Sequence, residues 1–112
     1  MVTIAEARKL ALAFPETDEH PHFERMAFRV KKKIFATLSA KDKTVNLKLS
    51  PEDQSVFCAF DPSVIHPVPG GWGRMGFTTV HLGKIRKAMF KDALTVAYCN
   101  VAPKDLAAKY NL

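Results

Sequence analysis

Near the N-terminus, apolar side chains recur at helical spacing: Ala7, Leu10, Ala11 and Phe14 fall on one stripe. Thr3 and Glu6 have the T-x-x-E spacing of a capping box, in which each side chain satisfies a backbone N–H of the other residue. Pro15 closes this predicted helix, because the residue before a proline is pushed out of helical geometry. The acidic stretch Glu16 to Glu19 and the step His20-Pro21-His22 carry neither periodicity and read as a connecting segment.

From Arg25 the period changes to two. Met26, Phe28 and Val30 share one face of a predicted strand, with Arg25 and Arg29 on the other. Lys31-Lys32 forms a turn. The next run places Ile34, Ala36 and Leu38 on the core face and Lys33, Phe35, Thr37 and Ser39 opposite. Ala40 to Lys43 is a second turn, after which Val45, Leu47 and Leu49 alternate with Thr44, Asn46 and Lys48. Three short strands with tight polar connections predict an antiparallel meander with one buried face.

Ser50-Pro51-Glu52-Asp53 is a helix start: a serine cap, proline at the first helical position and acids in the first turn. This helix is expected to turn Val56, Phe57 and Phe60 inward. Residues 61–76, with three prolines and four glycines, read as a loop. A strand follows at Phe77 to Leu82, with Phe77, Thr79 and His81 on the outer face. A long helix from about Ile85 to Val101 has Ile85, Met89, Ala93, Val96 and Ala97 on one stripe, and Pro103 opens a short last helix with Leu106 and Tyr110. The predicted fold class is α+β: one domain over 1–112, a two-layer sandwich with an antiparallel sheet and helices on one face. Its order is α-β-β-β-α-β(-β)-α-α.

Composition narrows the class without naming a function. The chain has 112 residues, of which 47% are apolar and 25% charged, as expected of one packed domain rather than a disordered or disulfide-built one. Cys58 and Cys99, without CxxC spacing, read as buried thiols in a reducing cytoplasm. No apolar run reaches the length of a membrane span. The net charge of +6 favours a polyanionic partner, and its distribution is uneven. Residues 1–24 carry a net of −3, residues 25–48 a net of +7, and the rest +2. The meander therefore holds the excess: Arg25, Arg29, Lys31, Lys32, Lys33, Lys41, Lys43 and Lys48. Such lysine-tipped hairpins suit phosphate backbones; they equally suit a solvated sheet protected against aggregation. Phe35 and Phe77, expected on the same outer face, suit either stacking on bases or a dimer interface.

The run Gly71-Trp72-Gly73-Arg74-Met75-Gly76-Phe77-Thr78-Thr79-Val80 is the most distinctive segment, its glycines marking unusual backbone dihedrals or close approach. It resembles the MmcQ/YjbR family of small bacterial proteins. Matches extend to Phe14-Pro15, Phe23, Ala27-Phe28-Arg29-Val30, Lys33-Ile34-Phe35-Ala36, Val45-Asn46-Leu47-Lys48-Leu49, Ala97-Tyr98 and Val101-Ala102-Pro103-Lys104. Position 77 is Phe where relatives are expected to carry Trp or another large residue. The resemblance implies an antiparallel two-layer fold similar to frataxin and secretion chaperones, and DNA binding through a double wing of strands. It implies no catalytic residues.

His20, His22, His66 and His81 fall in no metal-ligand spacing, the serines in no nucleophile elbow, and the glycines in no phosphate-binding fingerprint. Enzyme, metal and cofactor are not expected. Trp72 and Arg74 read either as a clamp for a base, phosphate or small acid, or as a plug and an ion-pair partner. The leading expectation is a cytoplasmic, non-enzymatic DNA-binding protein, monomeric or homodimeric. Its phosphate contacts would come from the meander cations and Arg74, with Phe35, Trp72 and Phe77 available for stacking. Low sequence specificity follows from the lack of a recognition-helix pattern. The alternative is a homodimeric interaction or small-ligand module using the outer sheet face and the Trp72 loop.

Overall fold

The computed structural model describes residues 1–110. The first helix, α1 (Ile4–Leu12), starts as its capping box requires: the Glu6 N–H donates to Thr3 Oγ1 and the Thr3 N–H to Glu6 Oε1, both at 3.0 Å. The Thr3 N–H, and then Lys87 Nζ at 3.0 Å, hold the Glu6 carboxyl down at about 2. Six strands follow: β1 (Thr17–His22), β2 (Arg25–Val30), β3 (Lys33–Ser39), β4 (Thr44–Lys48), β5 (Ile65–Pro67) and β6 (Phe77–His81). They form one antiparallel sheet in the order β1-β2-β3-β4-β6-β5. The remaining helices are α2 (Pro51–Cys58), α3 (Gly71–Arg74), α4 (Lys87–Val101) and α5 (Lys104–Ala107), with a 3-10 turn at Ala108–Tyr110. The helix α4 lies over β3 and β4, α1 against β1 and α2 against β5. No described helix is long and apolar enough to cross a membrane.

The core fills the space between α4 and the inner sheet face. Phe28, Val30, Leu47, Val80, Phe90, Leu94 and Tyr98 are all buried. Phe14 stacks on Tyr98 at 4.5 Å and meets Tyr110 edge-on at 5.3 Å, and the Tyr98 hydroxyl donates to the Pro15 carbonyl. That hydroxyl is satisfied but desolvated, and burial pushes its pKa up to about 12.

Four expectations are corrected. The segment Thr17–His22 is a strand, not a connector, so the order is α-β-β-β-β-α-β-α-β-α-α. Its inner face is polar: Glu19, opposite Phe28, is met by Arg8 of α1 at 2.7 Å, so an ion pair replaces the apolar side chains that patterning looks for. Phe35 is on the core face. The ladder pairs Phe28 with Ala36 and then Arg29 with Ile34, leaving Phe35 as the extra residue of a bulge. A one-residue bulge reverses alternation on its far side, turning Phe35 inward and Ile34 outward. Phe35 is 0% exposed and meets Phe14 and Tyr98 edge-on. Third, α2 presents Gln54, Phe57 and Cys58 to the body, and Val56 and Phe60 stand exposed. Finally, the loop over 61–76 contains β5 and α3, so the extra strand precedes Phe77 rather than following it. The thiols of Cys58 and Cys99 are free and half-buried, and burial raises both pKa values.

Candidate functional site

Pairing across the ladder fixes which side chains share the outer face. His66, Thr79, Asn46, Thr37, Ala27 and His20 lie in one row across the sheet. Thr79 Oγ1 donates to Asn46 Oδ1 at 2.8 Å. Arg25, beside this row, is half-buried: its Nε donates to Thr37 Oγ1 and its Nη2 to the Thr37 carbonyl, each at 3.0 Å. Burial lowers the Arg25 pKa, offset in part by Asp42, and an arginine so placed stays cationic. Two of its five N–H groups are used by Thr37, so the guanidinium is held in place with donors to spare.

Over this floor lies a groove of about 480 Å³ lined by His22, Phe23, Arg25, Ile34, Thr37, Asn46, Val68, Trp72 and Phe77. Its walls are aromatic and its one charged side chain is Arg25. Trp72 is 62% exposed and meets Phe77 edge-on at 5.3 Å. Lys48 Nζ lies 4.7 Å from the Phe77 ring centre and donates to the Met75 carbonyl at 2.8 Å. A second hollow, lined by Glu24, Ser39, Lys41 and Asp42, shares Phe23 and Arg25 with the groove and so lies next to it.

The Trp72 loop is held by close backbone approach. A Cβ on Gly73 would fall 1.9 Å from the Val68 carbonyl oxygen, and one on Gly76, at φ +107°, 1.9 Å from that of Leu49. The Gln54 amide of α2 completes the clamp, donating to the carbonyls of Gly73 and Phe77 and to Thr78 Oγ1. Patterning missed Gln54, because a glutamine on a polar helix gives no sign of facing inward.

The predicted cations do not form one patch. Arg29 pairs with Asp18 through Nε and Nη2 at 2.8 and 3.1 Å, and Lys31 with Glu16 at 3.4 Å. Both partners come from the segment read as a connector. Lys32 and Lys33 are exposed at the β2–β3 tip, and Lys41 and Lys43 at the opposite end of β3. Seven residues of strand put about 20 Å between the two ends. Arg74 is exposed on α3, two residues from Trp72. Of the three candidate stacking residues, Trp72 and Phe77 line the groove; Phe35, in the core, has no surface for a ligand.

Phe23 takes its place. The register pairs His22 with Arg25, so Phe23 and Glu24 alone make the β1–β2 turn, and Phe23 has φ +58° with 96% of its surface exposed. On the sheet's far side, His66 and His81 face each other with Nε2 atoms 2.8 Å apart. Burial, and then His66, lowers the His81 pKa. Among the described residues no three His, Cys, Asp or Glu side chains converge as metal ligands.

The YjbR family model matches residues 12–100. The chain belongs to the YjbR family. No curated protein matches it. Among solved structures, a Deinococcus radiodurans protein with the DUF419 family-model domain is similar at a TM-score of 0.80 and 22% identity. The match covers 100% of this chain and 90% of that one, and at such identity it speaks for the fold. The YjbR fold is thus an antiparallel sheet with helices over one face and, in this member, a groove on the other.

Proposed function

We propose that the chain is a nucleic-acid-binding protein that acts by binding rather than catalysis, and that the outer sheet face is its contact surface. The observation that carries this reading is that cations stand beside open aromatic rings there. Lys41 and Arg25 share a hollow with Phe23, Lys48 lies over Phe77, and Arg74 is two residues from Trp72. Cations that track a phosphate backbone beside rings that stack on bases are the two ingredients of sequence-tolerant nucleic-acid binding. Low sequence specificity follows, because the long helix α4 packs on the opposite face and α3, the helix beside the groove, is four residues long and too short to read a nucleic-acid groove. Arg29 and Lys31, each already facing a carboxylate, add little, and Lys32, Lys33 and Lys43 act at a distance as general positive potential.

Fluorescence anisotropy with labelled single-stranded and duplex DNA, across a salt series, tests the reading. With four phosphate contacts, log K for a single strand falls against log salt with a slope of about −3. Absence of binding to either form at low salt overturns it. The same apolar groove favours one other reading, a face-to-face homodimer; sedimentation showing a dimer that Trp72→Glu dissociates would select it.

A further inference from the structure

We infer that the groove takes an unpaired base, so that the chain engages single-stranded rather than duplex nucleic acid; this rests on the reading just proposed. The turn at Phe23 carries the argument furthest. A phenylalanine at φ +58° occupies backbone space that hairpin turns give to glycine, and its ring is turned to water. Both features act against the stability of the unbound chain: the backbone is strained and the ring gains nothing from burial. What the ring does instead is close one side of a groove whose other side is Trp72 and Phe77.

The chemistry inside matches a base rather than a phosphate chain. The walls are flat rings, and every base has a π-face whatever its sequence. At the floor, Arg25 has N–H groups beyond those given to Thr37, and the Asn46 oxygen is engaged by Thr79, leaving its amide nitrogen to donate. Donors at the floor between aromatic walls suit the acceptor-bearing edge of a base. A base reaches such a concave site only when unstacked, which costs a single strand far less than a duplex, where pairing must break as well. Lys41 and Lys48 lie to either side, where the flanking phosphates would run.

Trp72 is the chain's one tryptophan and therefore reports on the groove directly. Titration with a short oligothymidylate is expected to quench its fluorescence, with affinity at least about tenfold above that for a duplex of equal length. Phe23→Gly relieves the turn and deletes the ring. That variant is expected to be as stable as the parent or more so, and to bind the single strand about tenfold more weakly. Binding seen by anisotropy with Trp72 unquenched, equal affinity for duplex, or full affinity in Phe23→Gly each overturns the inference and leaves the nucleic-acid reading standing. Loss of all binding, single-stranded and duplex alike, removes both.

Discussion

The two faces of the sheet carry similar aromatic side chains to opposite ends. On the inner face Phe14, Phe35, Tyr98 and Tyr110 cluster at ring-centre distances of 4.5–5.9 Å, and the buried Tyr98 hydroxyl has its acceptor. On the outer face Trp72 and Phe77 share an edge contact, and Phe23 meets the ring of His22 while 96% of its surface stays exposed. Residue type does not separate the two groups. What does is the layer above: α4 covers one set, whereas the four-residue α3, which carries Trp72 itself, only borders the other. The inner rings therefore hold the fold, and the outer rings are free to serve something else.

The contrast breaks most directly at Phe35. Truncation to alanine opens the core and is expected to cost about 3–5 kcal/mol in urea denaturation, whereas Trp72→Ala stays within about 0.5 kcal/mol. Equal losses would mean that the outer face is as structural as the inner. Next in size is Gly76→Ala, which drives a methyl against the Leu49 carbonyl at a positive φ; a loss of about 3 kcal/mol is expected, with the Trp72 loop displaced. The inner face also has an alkaline signature. The folded-state pKa of Tyr98, about 12, lies above its ordinary value of 10, so the stabilisation is complete below pH 10 and is lost as pH rises through 12. A fall of about 2–3 kcal/mol over that interval is expected, and Tyr98→Phe should flatten it. Smallest is the β2–β3 tip. Lys31 and Lys32 hold φ of +51° and +68°, the geometry for which hairpins favour Asn-Gly. Replacing them by Lys31→Asn with Lys32→Gly is expected to raise stability by about 1 kcal/mol, read by thermal melting. Affinity for nucleic acid should change little, because neither side chain lines the groove.

The sequence was legible where one local rule acts alone. The capping box at Thr3, the serine-proline start at Ser50, the strict alternation of β4 and the close approach at Gly73 each depend on near neighbours, and each appears in the fold as expected. It misled where two elements settle a position together. The β1 strand pairs along the whole of β2, and Arg8 meets its Glu19 and Arg29 its Asp18; neither ion pair leaves a period in the hydrophobicity. The bulge at Phe35 is set by its partner strand, and it moved one candidate ring from the surface to the core. For the site, Arg25 and Phe77 were identifiable from outward parity, and Trp72 from the glycines that flank it. Phe23, Asn46 and Gln54 were not, since a hairpin tip, a mid-strand amide and a helix glutamine acquire meaning only once β2, β4 and α3 are brought together.

The margins of the sheet have a consequence for how partners approach. On one side β5 offers three residues and stops at Pro67; on the other, β1 is interrupted by Pro21 and studded with charge. Neither rim presents the unbroken run of amides and carbonyls that an incoming strand needs in order to extend a ladder. Both rims are therefore poor templates for ladder pairing, whether with a second copy or with an extended peptide.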